Sequence, residues 1–314
     1  MFDWRDYGNG IVAFDAGYVR PILAAIHLVV SDGRVAIIDT GSNDSVPNVL
    51  AALDRIGLGP DAVDLVFLTH IHLDHAGGAG RLMSVLPRAR LVVHPRGVRH
   101  MVEPAKLVAG VTAVYGEAYM QRVYGTIEPI AEDRIVPAHD GLTLLLGRRS
   151  LRCLDTPGHA RHHLCLVDEQ TGGIFTGDMF GLSYRELDVA GRTFVFPTTS
   201  PSQFDPLAMR QSVQRLLCLQ PEAVYLTHYG QLGSVPECGV QLLRHLDAFV
   251  DIAVQARGAD DRHNQIKTGL THYLLYQLRC HGCRLSDNDL LDILATDLEL
   301  NAQGLGVWLD SAAP

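Results

Sequence analysis

The stretch THIHLDHAGG, residues 69–78, sets His70, His72, Asp74 and His75 close together directly after the apolar run Leu65-Val66-Phe67-Leu68. The apolar run reads as a strand, and the small residues AGGAG that follow read as a bend. Side chains alternate along extended chain, so His70 and His72 project to the same side, while Asp74 and His75 turn elsewhere as the chain bends. Imidazole nitrogen and carboxylate oxygen are donors that Zn²⁺ accepts, and the arrangement suits two ions better than one. One ion can use His70 and His72, its neighbour Asp74 and His75. Further candidates follow other apolar runs: His159 in DTPGHA, Asp178 in IFTGD and His228 in YLTHYG. These are strand ends and the loops after them, where α/β folds build their sites.

Around this block, strand-like segments fall at about 26–30, 35–39, 65–69, 90–94, 142–146, 151–155, 163–168 and 224–227. Val46, Val49, Leu50, Leu53 and Ile56 recur at helical spacing behind Ser45, with Gly57 at the stop. Asp205-Pro206 is a cap followed by a first-turn proline and opens another helix. Strands and helices alternate as far as residue 230, which predicts an α/β layered domain. From about 235 the pattern is helical only. DLVFLTH (64–70) and EAVYLTH (222–228) repeat one phrase, a strand ending in Leu-Thr-His, which would place His70 and His228 comparably.

THIHLDHAGG matches the H-x-H-x-D-H signature of the metallo-β-lactamase fold superfamily. AIIDTG (36–41), TPGH (156–159), FTGD (175–178) and LTHYG (226–230) follow in that family's order, so the resemblance spans roughly residues 20–232. It implies an αββα sandwich; with the helical pattern after 235 the expected layout is a catalytic domain over 1–234, whose 97–130 segment, rich in helix formers and aromatics, is a candidate helical cap, and a C-terminal helical extension over 235–314. It also implies His70, His72 and His159 on a first metal, Asp74, His75 and His228 on a second, and Asp178 bridging them. Asp39 would support the ligands from behind. The expected cofactors are two divalent ions, Zn²⁺ first, with Fe or Mn as alternatives. A hydroxide generated at such ions would attack a carbonyl. No G-x-S-x-G elbow or phosphate-loop lysine competes with that chemistry. Protonation of the leaving group falls to Asp74, or to Tyr184, Tyr229 or His163.

PTTSPSQFDP (197–206) and LNAQGLGVWL (300–309) resemble a lactonase-like branch of the superfamily, which makes a lactone or carboxylic ester the expected substrate. A glyoxalase II-like thioesterase and a phosphodiesterase share the ligand set. A persulfide dioxygenase would instead use one iron. Tyr115, Tyr119 and Tyr124 line the 97–130 segment, either over the metals or packing a helical pair.

The chain has 314 residues, 47% hydrophobic and 19% charged, enough for a sizeable core. A net charge of −9 gives no footprint for nucleic acid. No segment reads as a signal peptide or membrane span, so the expectation is a cytoplasmic protein acting on a small molecule, with a homodimer left open. Six scattered cysteines predict no disulfide framework; Cys280 and Cys283 read as two helix-end thiols without metal.

Overall fold

The computed structural model describes residues 3–199 and 203–311. The first sheet comprises β1 (Trp4–Asp6), β2 (Ile11–Asp15), β3 (Ala25–Ser31), β4 (Arg34–Ile38), β5 (Val63–Phe67), β6 (Arg90–Val93) and β7 (Ile135–Pro137), side by side in sequence order. Pairing is antiparallel from β1 to β4 and parallel from β4 to β7. The second sheet comprises β8 (Thr143–Leu146), β9 (Arg149–Asp155), β10 (Leu164–Asp168), β11 (Gly173–Gly177), β12 (Val224–Leu226) and β13 (Gly230–Leu232), again in sequence order, with β11 and β12 its parallel pair. The helices are α1 (Val46–Arg55), α2 (Leu73–Ala76), α3 (Ala79–Val85), α4 (Pro95–Val102), α5 (Ala105–Tyr115), α6 (Glu117–Val123), α7 (Pro206–Cys218), α8 (Val235–Gln255), α9 (Arg262–His281) and α10 (Asp287–Ser311). Two mixed sheets with flanking helices and three terminal ones make an αββα sandwich with a C-terminal helical extension.

The chain forms two compact units. The first takes the chain up to Asp155, His162–Gly177 and Pro221–Gly233, and holds both sheets; the second takes Thr156–Arg161, Asp178–Gln220 and everything from Ser234.

In the first unit, alternation along the strands sorts side chains into two cores. Ile11, Val29, Ile38, Phe67 and Val92 from the first sheet meet Leu146, Leu151, Leu166, Phe175 and Tyr225 from the second. Their neighbours in sequence, Val12, Leu28, Ile37, Val66 and Leu91, face the opposite side and pack with Val49 and Leu53 of α1, Leu82 of α3, and Met101, Met120 and Tyr124 of the 97–130 segment. The inter-sheet core also swallows His27, against the edges of Phe175 and Tyr225, where burial pushes its pKa down to about 4. Burial likewise pushes the Cys153 thiol up to about 12. At the sheet margin the Arg149 guanidinium, buried with Asp168, donates to Asp168 Oδ1 (2.8 Å) and to Asn9 O (2.6 Å). Burial acts to raise the Asp168 pKa, yet Arg149 and Thr171 hold it below the usual carboxylate range.

In the second unit the Asp205 side chain caps α7, accepting from Leu207 N and Ala208 N (both 3.0 Å). The two stretches PTTSPSQFDP and LNAQGLGVWL come together here: Thr199 N donates to Asn301 Oδ1 (2.7 Å), and the Phe204 ring lies edge-on to Trp308. Ser200, Pro201 and Ser202 of the first stretch lie outside the described residues. At the end of α9 the Cys280–Cys283 phrase is a helix stop. Gly282, at φ +97, turns the chain so that its own N–H and that of Cys283 return to Leu278 O (3.1 and 2.9 Å). No disulfide joins any of the six cysteines among the described residues, and no described helix is long and apolar enough to cross a membrane.

The strands absent from the sequence reading are β1, β2, β7, β11 and β13. Three of them are only three residues long, too short for a period-two pattern to register.

Arg149→Met leaves Asp168 charged in a dry site and is expected to lower unfolding stability by about 3–5 kcal/mol. Adding Asp168→Leu should recover most of that loss, read from urea unfolding midpoints of the single and double variants.

Candidate metal centre

β5 ends at Phe67, and the next residues leave the sheet at its edge. His72 is still extended (φ −63°, ψ +146°) and precedes α2, the single turn that carries Asp74 and His75. Asp74 and His75 therefore ride on a helical turn, and AGGAG covers the last residue of α2, the turn at Gly77 and Gly78, and the first two residues of α3. Gly78 is required by proximity: a Cβ there would stand 2.5 Å from Ser42 O.

Behind the ligands sits Asp39, one per cent exposed and at φ +59, a left-handed conformation that Asp tolerates better than most residues. Its Oδ1 accepts from Thr69 N (2.8 Å), and its Oδ2 faces His75 Nδ1 (2.7 Å) and accepts from Thr227 Oγ1 (2.7 Å). Thr69 Oγ1 bonds both oxygens at 3.0 Å. The Leu-Thr-His repeat thus has a physical meaning. Each Thr grips Asp39 from a different sheet, and each following His enters the site. Thr40, beside Asp39, fixes the other end of α2 through bonds from its N–H and hydroxyl to His75 O (2.7 and 2.8 Å).

The outer hydrogen bonds of the donor set suit metal ligation, in which an imidazole usually gives its second nitrogen to a carboxylate or carbonyl. His75 Nδ1 is held by Asp39 and His228 Nδ1 by Leu23 O (2.7 Å). Their Nε2 atoms then face one acceptor, Asp74 Oδ2, at 3.5 and 3.3 Å. Asp74, His75 and His228 bring three ligand atoms within 4.8 Å of one another. His70 Nδ1 lies 3.1 Å from Thr69 Oγ1, while its Nε2 faces His72 Nδ1 at 2.9 Å. In the second unit His159 repeats the pattern: Nδ1 is 3.1 Å from Thr198 O and Nε2 is 3.4 Å from Asp178 Oδ2. Asp178 directly follows Gly177, where φ is +49 and a Cβ would stand 2.6 Å from Thr69 Oγ1. The residues fit a divalent cation centre, with nitrogen and carboxylate donors already aimed and mostly buried.

Of the other candidates, His163 is fully buried with its ring 5.1 Å from that of His70, and His162 Nδ1 accepts a long bond (3.5 Å) from Ile71 N. Tyr229 donates to Asp3 Oδ2 (2.6 Å), and burial together with the Asp3 charge pushes its pKa well above the ordinary tyrosine value. Tyr184 donates to Asp297 Oδ1 (3.1 Å) in the second unit. Sequence reasoning missed Thr69, Thr227 and Leu23. The first two were signalled by the repeat; Leu23 acts through its carbonyl, which leaves no mark in the side-chain code.

Residues 20–228 match the sequence pattern of the Metallo-beta-lactamase superfamily. The chain is 29% identical over 270 residues to the metallo-beta-lactamase fold-containing protein ST1585 of Sulfurisphaera tokodaii, covering 83% of this chain and 95% of that one. It is 32% identical over 213 residues to the hydroxyacylglutathione hydrolase of Xanthomonas euvesicatoria, covering 68% of this chain but only 60% of that protein. The ST1585 crystal structure superposes with a TM-score of 0.65 at 24% identity, over 95% of this chain and 98% of that one. TTHA1429 of Thermus thermophilus gives 0.64 at 21%, over 84% and 88%. With the fold shared and the matched stretch running to His228 itself, the chain is a hydrolase of the metallo-β-lactamase superfamily.

Proposed function

We propose that this protein is a dinuclear metal-dependent hydrolase that opens a lactone or cleaves a carboxylic ester. The observation that carries the metal reading is the pair of imidazoles, His75 and His228, whose outer nitrogens are held and whose inner nitrogens converge on Asp74. In this reading His70, His72 and His159 hold one ion, Asp74, His75 and His228 the other, and Asp178 serves both, with Zn²⁺ the first choice. Such ions lower the pKa of water and polarise a carbonyl oxygen.

The chain's own contribution is orientation and proton handling. Asp74, whose side chain is 25% exposed beside the fully buried His75, marks the open side and is placed to take the proton released when water adds and to hand it to the leaving group. The hydroxyls of Tyr184 and Tyr229 are engaged by Asp297 and Asp3, which favours Asp74 for this task. His162 and His163 brace the H-x-H segment.

A thioester is the second reading, favoured by two relatives. One is the hydroxyacylglutathione hydrolase above. The other, 29% identical, is an acyl-coenzyme A thioesterase of Gallus gallus, matched over 57% of this chain and 65% of that protein. Against a glutathione grip, three basic side chains of α9 are turned on neighbouring acids: Lys267 on Glu299 (2.6 Å), Arg262 on Asp310 (2.7 Å) and Arg279 on Asp287.

Metal-replete protein assayed on an acyl lactone, a simple ester, a glutathione thioester and an activated phosphodiester should turn over the first two fastest, with His72→Ala inactive. A dominant phosphodiester rate, or one iron per chain with oxygen uptake on a persulfide, would overturn the assignment. Asp39→Ala should weaken metal retention about 10–100-fold, read by chelator competition. An unchanged affinity would remove Asp39 from the centre.

A further inference from the structure

The loop between β2 and β3 supplies Leu23 O to His228, and a few residues earlier it carries Tyr18. Its backbone is unusual, with Val19 and Ile22 at φ +57 and +54. Such values are rare for β-branched residues and collect where a loop is held for function. Tyr18 reaches across to Tyr124, which follows α6, and the two hydroxyl oxygens lie 2.5 Å apart. Both residues are more than nine-tenths buried, at 8% and 4% exposure.

Tyr124 is itself fixed. Asn43 Nδ2 donates to Tyr124 O (2.9 Å) and Thr126 O (2.7 Å), the Tyr119 ring meets it edge-on, and its Cδ1 lies 3.3 Å from where a Cβ on Gly77 would stand. Gly77 closes α2, the turn that carries Asp74. The Tyr18–Tyr124 couple is therefore clamped between the loop that orients His228 and the turn that presents Asp74, and the Asp74 carboxylate is the charge that acts most strongly on both hydroxyls.

Two phenols carry two protons, and the bond between them uses one. Among the described residues neither hydroxyl has a second side-chain or backbone partner. Buried donors are ordinarily satisfied, so a spare donor beside a candidate active centre points to an acceptor that arrives with a ligand. Burial, with the Asp74 charge adding to it, raises both pKa values, so the pair stays protonated and keeps its second donor at neutral pH.

Resting on the carbonyl-hydrolase reading, we propose that the Tyr18–Tyr124 hydroxyl pair donates its second hydrogen bond to the leaving-group oxygen of the ester or lactone. As water adds and the acyl C–O bond breaks, the bonding pair collects on that oxygen. The hydrogen bond stabilises the developing charge, and the oxygen finally takes up the proton released by the attacking water. Acid and alcohol are the products, and the tyrosines are unchanged. Such a donor helps an alkoxide, which holds its charge poorly, far more than a nitrophenolate, so the pair sets a preference for unactivated oxygen esters.

The test compares wild type with Tyr124→Phe, Tyr18→Phe and the double variant, all metal-replete. Substrates are an ethyl ester and a 4-nitrophenyl ester of one acid, with a γ-lactone as third. The expected result for the double variant is a kcat loss of about 10–100-fold on the ethyl ester and lactone, with less than about threefold on the nitrophenyl ester. A second readout needs no turnover: by calorimetry, wild type should bind a hydroxy acid about tenfold tighter than the acid lacking the hydroxyl, and the double variant should lose that preference. Equal losses on all three substrates, with the binding preference intact, would make the pair a packing feature and overturn the proposal, as would no loss at all. A wild type that hydrolyses none of the three overturns the carbonyl reading, and this proposal with it.

Discussion

A single buried carboxylate organises this protein. Asp39 is removed from water, which is tolerable for an ionised group only when donors replace the lost hydration. They come from three residues after two strand ends: the backbone and hydroxyl of Thr69 and the His75 ring after β5, and the hydroxyl of Thr227 after β12. Because β5 and β12 belong to different sheets, the same oxygens that orient a candidate ligand also fasten one sheet edge to the other. Fold and site share one hydrogen-bond network.

The spacing of H-x-H-x-D-H follows from that constraint. His70 enters directly after a threonine pinned to Asp39, His72 is the last extended residue, and one helical turn then separates Asp74 and His75 in direction while keeping them adjacent in sequence. The small residues at 77 and 78 let the turn lie against the backbone of residues 40–42, where Gly78 N donates to Gly41 O (2.8 Å). A side chain there would push the turn away and take both ligands with it. The second unit places His159 and Asp178 by the same means, a carbonyl behind the imidazole and a carboxylate before it.

Tyr115 stacks on Tyr119, which meets Tyr124, which meets Tyr18, so the 97–130 segment contributes an aromatic column that ends in a hydroxyl pair. Among the tyrosines of this segment the outer rings pack on one another, and the innermost meets Tyr18 through its hydroxyl. α5 contributes no fully buried residue, so the column is anchored by Tyr124 and the Asn43 bonds behind it.

The sequence alone determined what is local and chemical. Donor types, their spacing after apolar runs, and the alternation of strands and helices were enough to name an α/β layered domain and seven candidate ligands; the resemblance to the superfamily added the sandwich and the supporting role of Asp39. Asp205-Pro206 and Ser45 marked helix starts because capping is a property of neighbouring residues. Three-residue strands such as β1, β7 and β13 were illegible because a strand that short exists only by pairing. Tertiary structure alone decided which hydroxyls are spent and which is spare. Tyr184 and Tyr229 look like proton donors in sequence, yet their protons go to Asp297 and Asp3, 113 and 226 positions away. Tyr18 shows nothing in sequence, yet meets a partner 106 positions on. Hydrogen-bond satisfaction is a property of the folded neighbourhood, and residue order does not encode it.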